Sequence, residues 1–198
     1  MGRNDEVETQ VGLAFEKTVV KLVGWQECSP ENPSDVKIFV YDDEGSAQND
    51  DYQTYVKSLI AENNSQKQGA GHPRLRDLNR PMHLVLNQTF KDDDPGFEKL
   101  FSQLTPQGQR NIALSATIHE FGHAIGLRHE DAHPERTCDD FAEQPGDMPG
   151  GLQVVSGYNP FSFMSRCYYR TFNYNLSVVD PNAKDIEGIN KLYADVAQ

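Results

Sequence analysis

The segment HEFGHAIGLRHE, residues 119–130, decides how this chain is organised. Its first two histidines, His119 and His123, are four residues apart, so on a helix they lie one turn apart on the same face. Both can present a neutral imidazole nitrogen to one zinc ion at about 2.0–2.1 Å. Gly126 allows the helix to end in a left-handed conformation that most residues resist. The chain can then turn back and bring His129 to the same metal.

Three protein ligands leave a fourth zinc position open, which is typical of a catalytic rather than a structural site. Glu120 follows the first ligand directly, where its carboxylate can take a proton from the zinc-bound water. The pattern therefore predicts one zinc ion, held by His119, His123 and His129, with Glu120 as the general base. The remaining histidines (His72, His83 and His133) are predicted to be surface or hydrogen-bonded side chains.

The pattern H-E-x-x-H-x-x-G-x-x-H resembles the long motif of the metzincin clan of zinc endopeptidases. Glu130 directly follows the third histidine, and in this the chain resembles the astacin branch of that clan. Ser162-Phe163-Met164-Ser165 resembles the turn that places a methionine beneath the zinc-binding histidines, and an ordinary core methionine is the alternative. The chain departs from astacins two residues after Met164, where Arg166 replaces a zinc-binding tyrosine. Tyr168 can take that role only in a longer turn, and packing of its ring is the alternative.

Hydrophobic periodicity predicts elements on both sides of the motif. The predicted elements are a helix at 5–24, a strand at 36–41, a helix at 51–62, a strand at 82–87, the motif helix at 106–125 with Thr105 as its N-cap, and a last helix opened by Asp180-Pro181.

The resemblance implies an α+β fold, a metzincin-like (zincin) catalytic domain. Such a domain has a twisted, mostly parallel sheet with an edge strand, a central zinc-binding helix and a C-terminal helix. The whole chain, 1–198, is predicted to be a single metalloprotease catalytic domain. Its upper subdomain would cover about residues 1–129 and its lower subdomain about 130–198. The strand at 82–87 would be the edge that pairs with an extended substrate.

Charge and composition limit the classes of partner that this protein is expected to bind. The net charge of −12 argues against nucleic acid or an anionic membrane, and no apolar run approaches the ~20 residues needed to span a bilayer. The expected partner is a protein or peptide substrate, bound by a monomer. The acidic runs at 42–44, 50–51 and 92–94 could bind Ca²⁺, but none matches a calcium loop, so a solvated face is favoured.

The three cysteines favour an exported protein. A disulfide between Cys138 and Cys167 would close a loop of about 30 residues and contribute roughly 3–4 kcal/mol. Cys28 is left as a buried thiol, a thiolate that blocks the zinc, or a partner in another bridge. A secreted or periplasmic location is therefore expected. The acidic start has no apolar leader region, so a complete cytosolic protein is the alternative.

The segment after the methionine forms, in the family, a wall of the pocket just beyond the scissile bond. Arg166, Tyr168 and Arg170 are the pocket candidates here. A guanidinium in that pocket would favour Asp or Glu after the cleaved bond. The alternative is that both arginines pair with surface carboxylates.

Together these patterns predict a zinc-dependent endopeptidase that cleaves extended protein or peptide substrates with a Glu-activated zinc-bound water. The rival hypothesis is a catalytically silent, zinc-stabilised domain that binds peptides or a partner. Loss of the base is the usual sign of such a protein, and Glu120 is intact. A zinc amidase acting on non-peptide amides is a third, narrower hypothesis.

Overall fold

The computed structural model describes residues 3–26, 36–41, 82–87, 95–138 and 154–194. In chain order its elements are α1 (Arg3–Phe15), β1 (Val36–Tyr41), β2 (Met82–Asn87), α2 (Pro95–Ser102), α3 (Pro106–Ala124), a 3₁₀ helix (Glu130–Ala132), α4 (Arg166–Thr171) and α5 (Ala183–Leu192). The helix predicted at 51–62, the three acidic runs, His72 and Cys28 lie outside the described residues.

The predicted fold class, α+β with a twisted, mostly parallel sheet and an edge strand, is wrong for the part of the chain that the structure describes. About half of that part is helical, and the helix that carries the histidine motif contacts both α1 and β2. Its only strands are the parallel pair β1 and β2, with Val36 opposite Met82 and Tyr41 opposite Asn87. The larger sheet was implied by the family resemblance. Local sequence indicated only the two strands at 36–41 and 82–87, and the further partners that a sheet requires are not specified by local sequence.

The motif helix α3 lies at the centre of the described core. Its N-terminus is as predicted, because the Thr105 hydroxyl accepts a hydrogen bond from the Gly108 N–H at 3.1 Å and Pro106 opens the first turn. The helix buries side chains on several faces and packs against α1. Core side chains from α1, α3 and the C-terminal segment meet here: Val11, Phe15, Ile112, Ile118, Phe121, Phe163, Met164, Tyr174, Val179 and Ile189.

Two predicted helix boundaries shift in the structure. α1 ends at Phe15 rather than near Gly24, because the Thr18 hydroxyl bonds to the Phe15 carbonyl and to the Val20 N–H and competes with helical bonds. α5 begins at Ala183 rather than at Asp180-Pro181. Its N-cap is Asn182, which forms a capping box with Asp185. α2 and α4 were not predicted.

A buried network of polar groups joins α3 to the C-terminal segment. The Tyr169 hydroxyl donates to the Ser115 carbonyl at 2.6 Å, and the Tyr174 hydroxyl donates to the Tyr169 carbonyl at 2.9 Å. The Asn111 amide donates to the Tyr174 carbonyl at 2.6 Å. These bonds satisfy polar groups that would otherwise be costly to bury. None of the described helices is long and apolar enough to cross a bilayer.

Candidate metal centre

The structure brings the three predicted metal ligands together. One ring nitrogen from each of His119, His123 and His129 lies within 4.8 Å of the others. The Nε2 atoms of His123 and His129 are 3.2 Å apart. The His119 ring stacks on that of His129, with centroids 5.2 Å apart, while the His123 ring meets both edge-on. Converging imidazole nitrogens of this kind form a donor set that a single divalent metal can use.

Two of the rings are oriented by backbone carbonyl groups. His119 Nδ1 lies 2.9 Å from the Phe163 carbonyl oxygen, and His123 Nδ1 lies 2.9 Å from the Leu127 carbonyl oxygen. A carbonyl only accepts, so each Nδ1 carries the hydrogen and each Nε2 lone pair is left for a metal. Such outer partners are a usual feature of histidine ligands because they fix both tautomer and ring orientation.

The reversal of the chain after α3 is a Schellman motif centred on Gly126, whose φ is 93°. The Leu127 N–H donates to the Gly122 carbonyl at 2.9 Å, and the Gly126 N–H donates to the His123 carbonyl at 2.9 Å. A side chain at this φ would be strained, so glycine is required. The motif turns the chain towards the position of His129.

The methionine turn, Ser162–Ser165, lies directly against α3. The Ser165 N–H donates to the Ser162 carbonyl at 3.0 Å, and the Met164 N–H donates to the Ser162 hydroxyl oxygen at 3.0 Å. Met164 is only 2% exposed. A Cβ at Gly122 would overlap the Met164 sulfur and the Phe163 ring, so the turn packs closely on the helix that carries the histidines.

The turn is held from the other side by Asp185 of α5. One Asp185 oxygen accepts from the Phe163 N–H at 3.3 Å and from the Asn182 N–H at 3.0 Å. The other accepts from the Asn159 amide at 3.0 Å. Burial raises the pKa of Asp185 despite these bonds. The sequence carried the capping signal Asn182-x-x-Asp185, but nothing in it indicated that the same carboxylate also anchors the methionine turn.

Glu120 is half-buried. Burial raises the pKa of Tyr169, and the neighbouring Tyr174 and then the charge of Glu120 add to that rise. The Tyr169 ring in turn meets His119 edge-on at a centroid distance of 5.4 Å. Glu120, the predicted base, directly follows His119 on α3.

The three predicted pocket residues all lie on α4, in different surroundings. Arg166 Nε is 3.5 Å from Asp131 Oδ2. The Tyr168 ring meets the Phe161 ring at 5.5 Å and the Phe172 ring at 5.4 Å, both edge-on. Arg170 is exposed in the last turn of the helix.

The predicted pairing of Cys138 with Cys167 is confirmed, because their sulfur atoms are at disulfide distance and their Cα atoms are 6.4 Å apart. A carboxylate oxygen of Asp131 lies close to both sulfurs. Asp131 also accepts hydrogen bonds from Ser165 and Arg166. We therefore assign a structural role to the group formed by Asp131, Cys138 and Cys167.

His133 is hydrogen-bonded, as predicted, and takes no part in the histidine cluster. Its Nδ1 accepts from the Glu135 N–H at 3.1 Å, and its Nε2 lies 3.2 Å from the Ser156 carbonyl oxygen. Both ring nitrogens are thus occupied away from the three ligands.

No protein-family model, curated protein or solved structure matches this chain. The chemistry of the centre must therefore be argued from its own residues.

Proposed function

We propose that this protein is a zinc-dependent endopeptidase, related to the metzincin clan, that hydrolyses peptide bonds in extended protein or peptide substrates. One observation carries the proposal. Three imidazoles converge to within 4.8 Å, and the carboxylate of Glu120 follows the first of them on the same helix. A metal-assisted hydrolase needs these two parts, an open metal site and a nearby proton acceptor.

The donor set supports zinc as the metal. His119, His123 and His129 would hold it through neutral imidazole nitrogens, a donor type well suited to zinc, and three protein ligands leave a position for substrate. A zinc ion held there would supply a Lewis acid that polarises the scissile carbonyl and lowers the pKa of a water molecule.

The chain's own groups supply the proton transfer and the orientation. Glu120 accepts a proton from the attacking water and passes it to the leaving amine. The carbonyls of Phe163 and Leu127 keep two ligands in one tautomer. Met164 packs against α3 without offering a competing charged donor.

The paired cysteines support a place of action in an oxidising compartment, either outside the cell or in a periplasm. Disulfides persist in such compartments and are rare in the cytosol. We propose that the active form is a monomer.

The experiment compares zinc content and casein or gelatin hydrolysis of the wild type, Glu120→Gln and Glu187→Gln. Glu187 is an exposed residue of α5 paired with Lys191, so its variant controls for loss of one carboxylate. We expect about one zinc per chain in all three proteins and chelator-sensitive hydrolysis in the wild type and the control. Glu120→Gln should lose about 10²–10⁴-fold in hydrolysis because it keeps the shape but not the proton acceptor.

The rival functions give other outcomes. Zinc binding with no cleavage of proteins or of a peptide library would support the silent binding domain. Cleavage restricted to small non-peptide amides would support the amidase. A wild type that takes up no zinc, or a Glu120→Gln variant with near-normal hydrolysis, would contradict the proposed mechanism.

A further inference from the structure

The third ligand reaches the metal centre from a segment with little structure of its own. His119 and His123 lie on α3, a helix of 19 residues. His129 lies in the loop beyond it and precedes a 3₁₀ helix of only three residues. Such a short turn is marginal in isolation. The position of His129 therefore depends on contacts that the following residues make with the rest of the molecule.

Asp131, two residues after His129, makes such contacts through a buried carboxylate. Its side chain is fully buried, with 0% exposure. Oδ1 accepts from the Ser165 hydroxyl at 3.3 Å, and Oδ2 accepts from the Arg166 N–H at 2.9 Å. The Arg166 Nε atom lies 3.5 Å from the same oxygen. A buried carboxylate is costly without partners, so its geometry strongly restricts both chain segments.

A backbone hydrogen bond and a disulfide join the same two segments. The Glu130 N–H donates to the Met164 carbonyl at 3.0 Å. The Cys138–Cys167 pair joins them again further along the chain. The loop that carries His129 is thus fastened to the methionine turn and to the first turn of α4.

We propose that Asp131 is a positioning residue of the metal centre, which holds His129 within reach of the site formed by His119 and His123. The inference rests on the proposed metal site and adds a residue that the histidine motif does not contain. It also links the loop that carries His129 to α4, because the Asp131 carboxylate accepts a hydrogen bond from the first N–H of that helix.

The first test is metal affinity. Zinc binding to the metal-free wild type, Asp131→Asn and His129→Ala is measured by competition with a chromophoric chelator. Loss of a group that hydrogen-bonds directly to a metal ligand typically lowers affinity about 10–100-fold, and because Asp131 acts on His129 only through the backbone, we expect Asp131→Asn to lie at the lower end, about 10-fold. With Co²⁺ as a probe, its visible absorption should shift towards that of His129→Ala. Unchanged affinity and an unchanged cobalt spectrum would overturn the proposal.

The second test is a double-mutant cycle, which separates positioning from general destabilisation. If Asp131 acts through His129, Asp131→Asn should change zinc affinity by no more than about twofold in the His129→Ala background. Fully additive losses would overturn the proposal. Ile189→Val, a buried change in α5, is the control: it should lower thermal stability and leave zinc affinity unchanged.

A third variant keeps the proposal testable if Asp131→Asn does not fold. Arg166→Met removes the charged partner but keeps the backbone N–H that Asp131 accepts. We expect Arg166→Met to weaken zinc binding, but by less than the loss expected for Asp131→Asn. This loss should disappear in the His129→Ala background. An equal loss in the His129→Ala background would overturn the proposal. A wild type without any metal affinity would overturn the proposed function as well, whereas metal binding with an additive cycle would overturn this inference alone.

Discussion

The Nδ1 atom of His119 lies 2.9 Å from the carbonyl oxygen of Phe163, a residue 44 positions further along the chain. This bond joins the helix of the histidine motif to the methionine turn. The Phe163 N–H is in turn held by Asp185 of the last helix. The orientation of the His119 ring therefore depends on three segments that are remote in sequence.

Gly126→Ala should destabilise the chain and weaken metal binding. The φ of 93° at this position would cost an alanine about 1–2 kcal/mol, and relief of the strain would move His129. The matched control is Gly12→Ala in α1, where a Cβ meets nothing within 4 Å. That change should raise stability by about 0.4–1 kcal/mol. Urea denaturation and zinc titration of both variants check the prediction, and equal effects of the two alanines would contradict it.

Replacing Cys138 and Cys167 together by serine should lower the free energy of unfolding by roughly 3–4 kcal/mol in the chain-entropy model, because their sequence separation is 29 residues. Denaturant unfolding under non-reducing conditions measures the loss. Cys28→Ser is the control and should have a smaller effect. Alkylation with intact-mass analysis should find one free thiol in the wild type, and three free thiols would refute the bridge.

Asp185 should make stability fall as pH rises from about 4. Burial raises its folded pKa above the ordinary value of 3.8, so the native state binds more protons than the unfolded state between these two pKa values. Its contribution is thus largest below 3.8 and is lost as the carboxyl ionises. Urea denaturation of the metal-free chain at several pH values should show a shallower decline in Asp185→Asn.

Glu187 provides the opposite case on the same helix. Its hydrogen bond to Lys191 lowers its pKa, so its contribution is present at higher pH and is lost on acidification. Glu187→Gln should change the pH dependence of stability in the reverse sense, and only slightly, because the pair is exposed.

The Asp185 prediction would be contradicted if stability fell equally steeply with pH in the wild type and in Asp185→Asn.

Under the proposed function, Arg170, which is exposed in the last turn of α4, is the first candidate for substrate selection. We expect cleavage of a peptide library to favour Asp or Glu directly after the cleaved bond. Arg170→Gln should reduce that preference on the order of tenfold, the value of one charge-assisted hydrogen bond, and Arg170→Lys should retain part of it. Apolar residues dominating this position, or an unchanged profile in Arg170→Gln, would rule the idea out.

Local sequence was sufficient for the parts of the site that depend on neighbouring residues. The four-residue spacing of His119 and His123 is a property of any helix, and Thr105-Pro106 specifies where that helix begins. Gly126 is required because the left-handed conformation is open to few other residues. The pairing of Cys138 with Cys167 was also readable, since both flank the same loop.

The tertiary structure alone decided the rest. The metzincin resemblance implied a larger sheet, whereas the described residues contain a single strand pair and a helical core. The roles of Asp131 and Asp185 could not be predicted, because their partners lie 35 and 22 residues away and no periodicity links them. A buried carboxylate acquires its role from whichever donors the folded chain brings to it. Sequence therefore determined which residues could bind a metal, and long-range contacts determined how those residues are held.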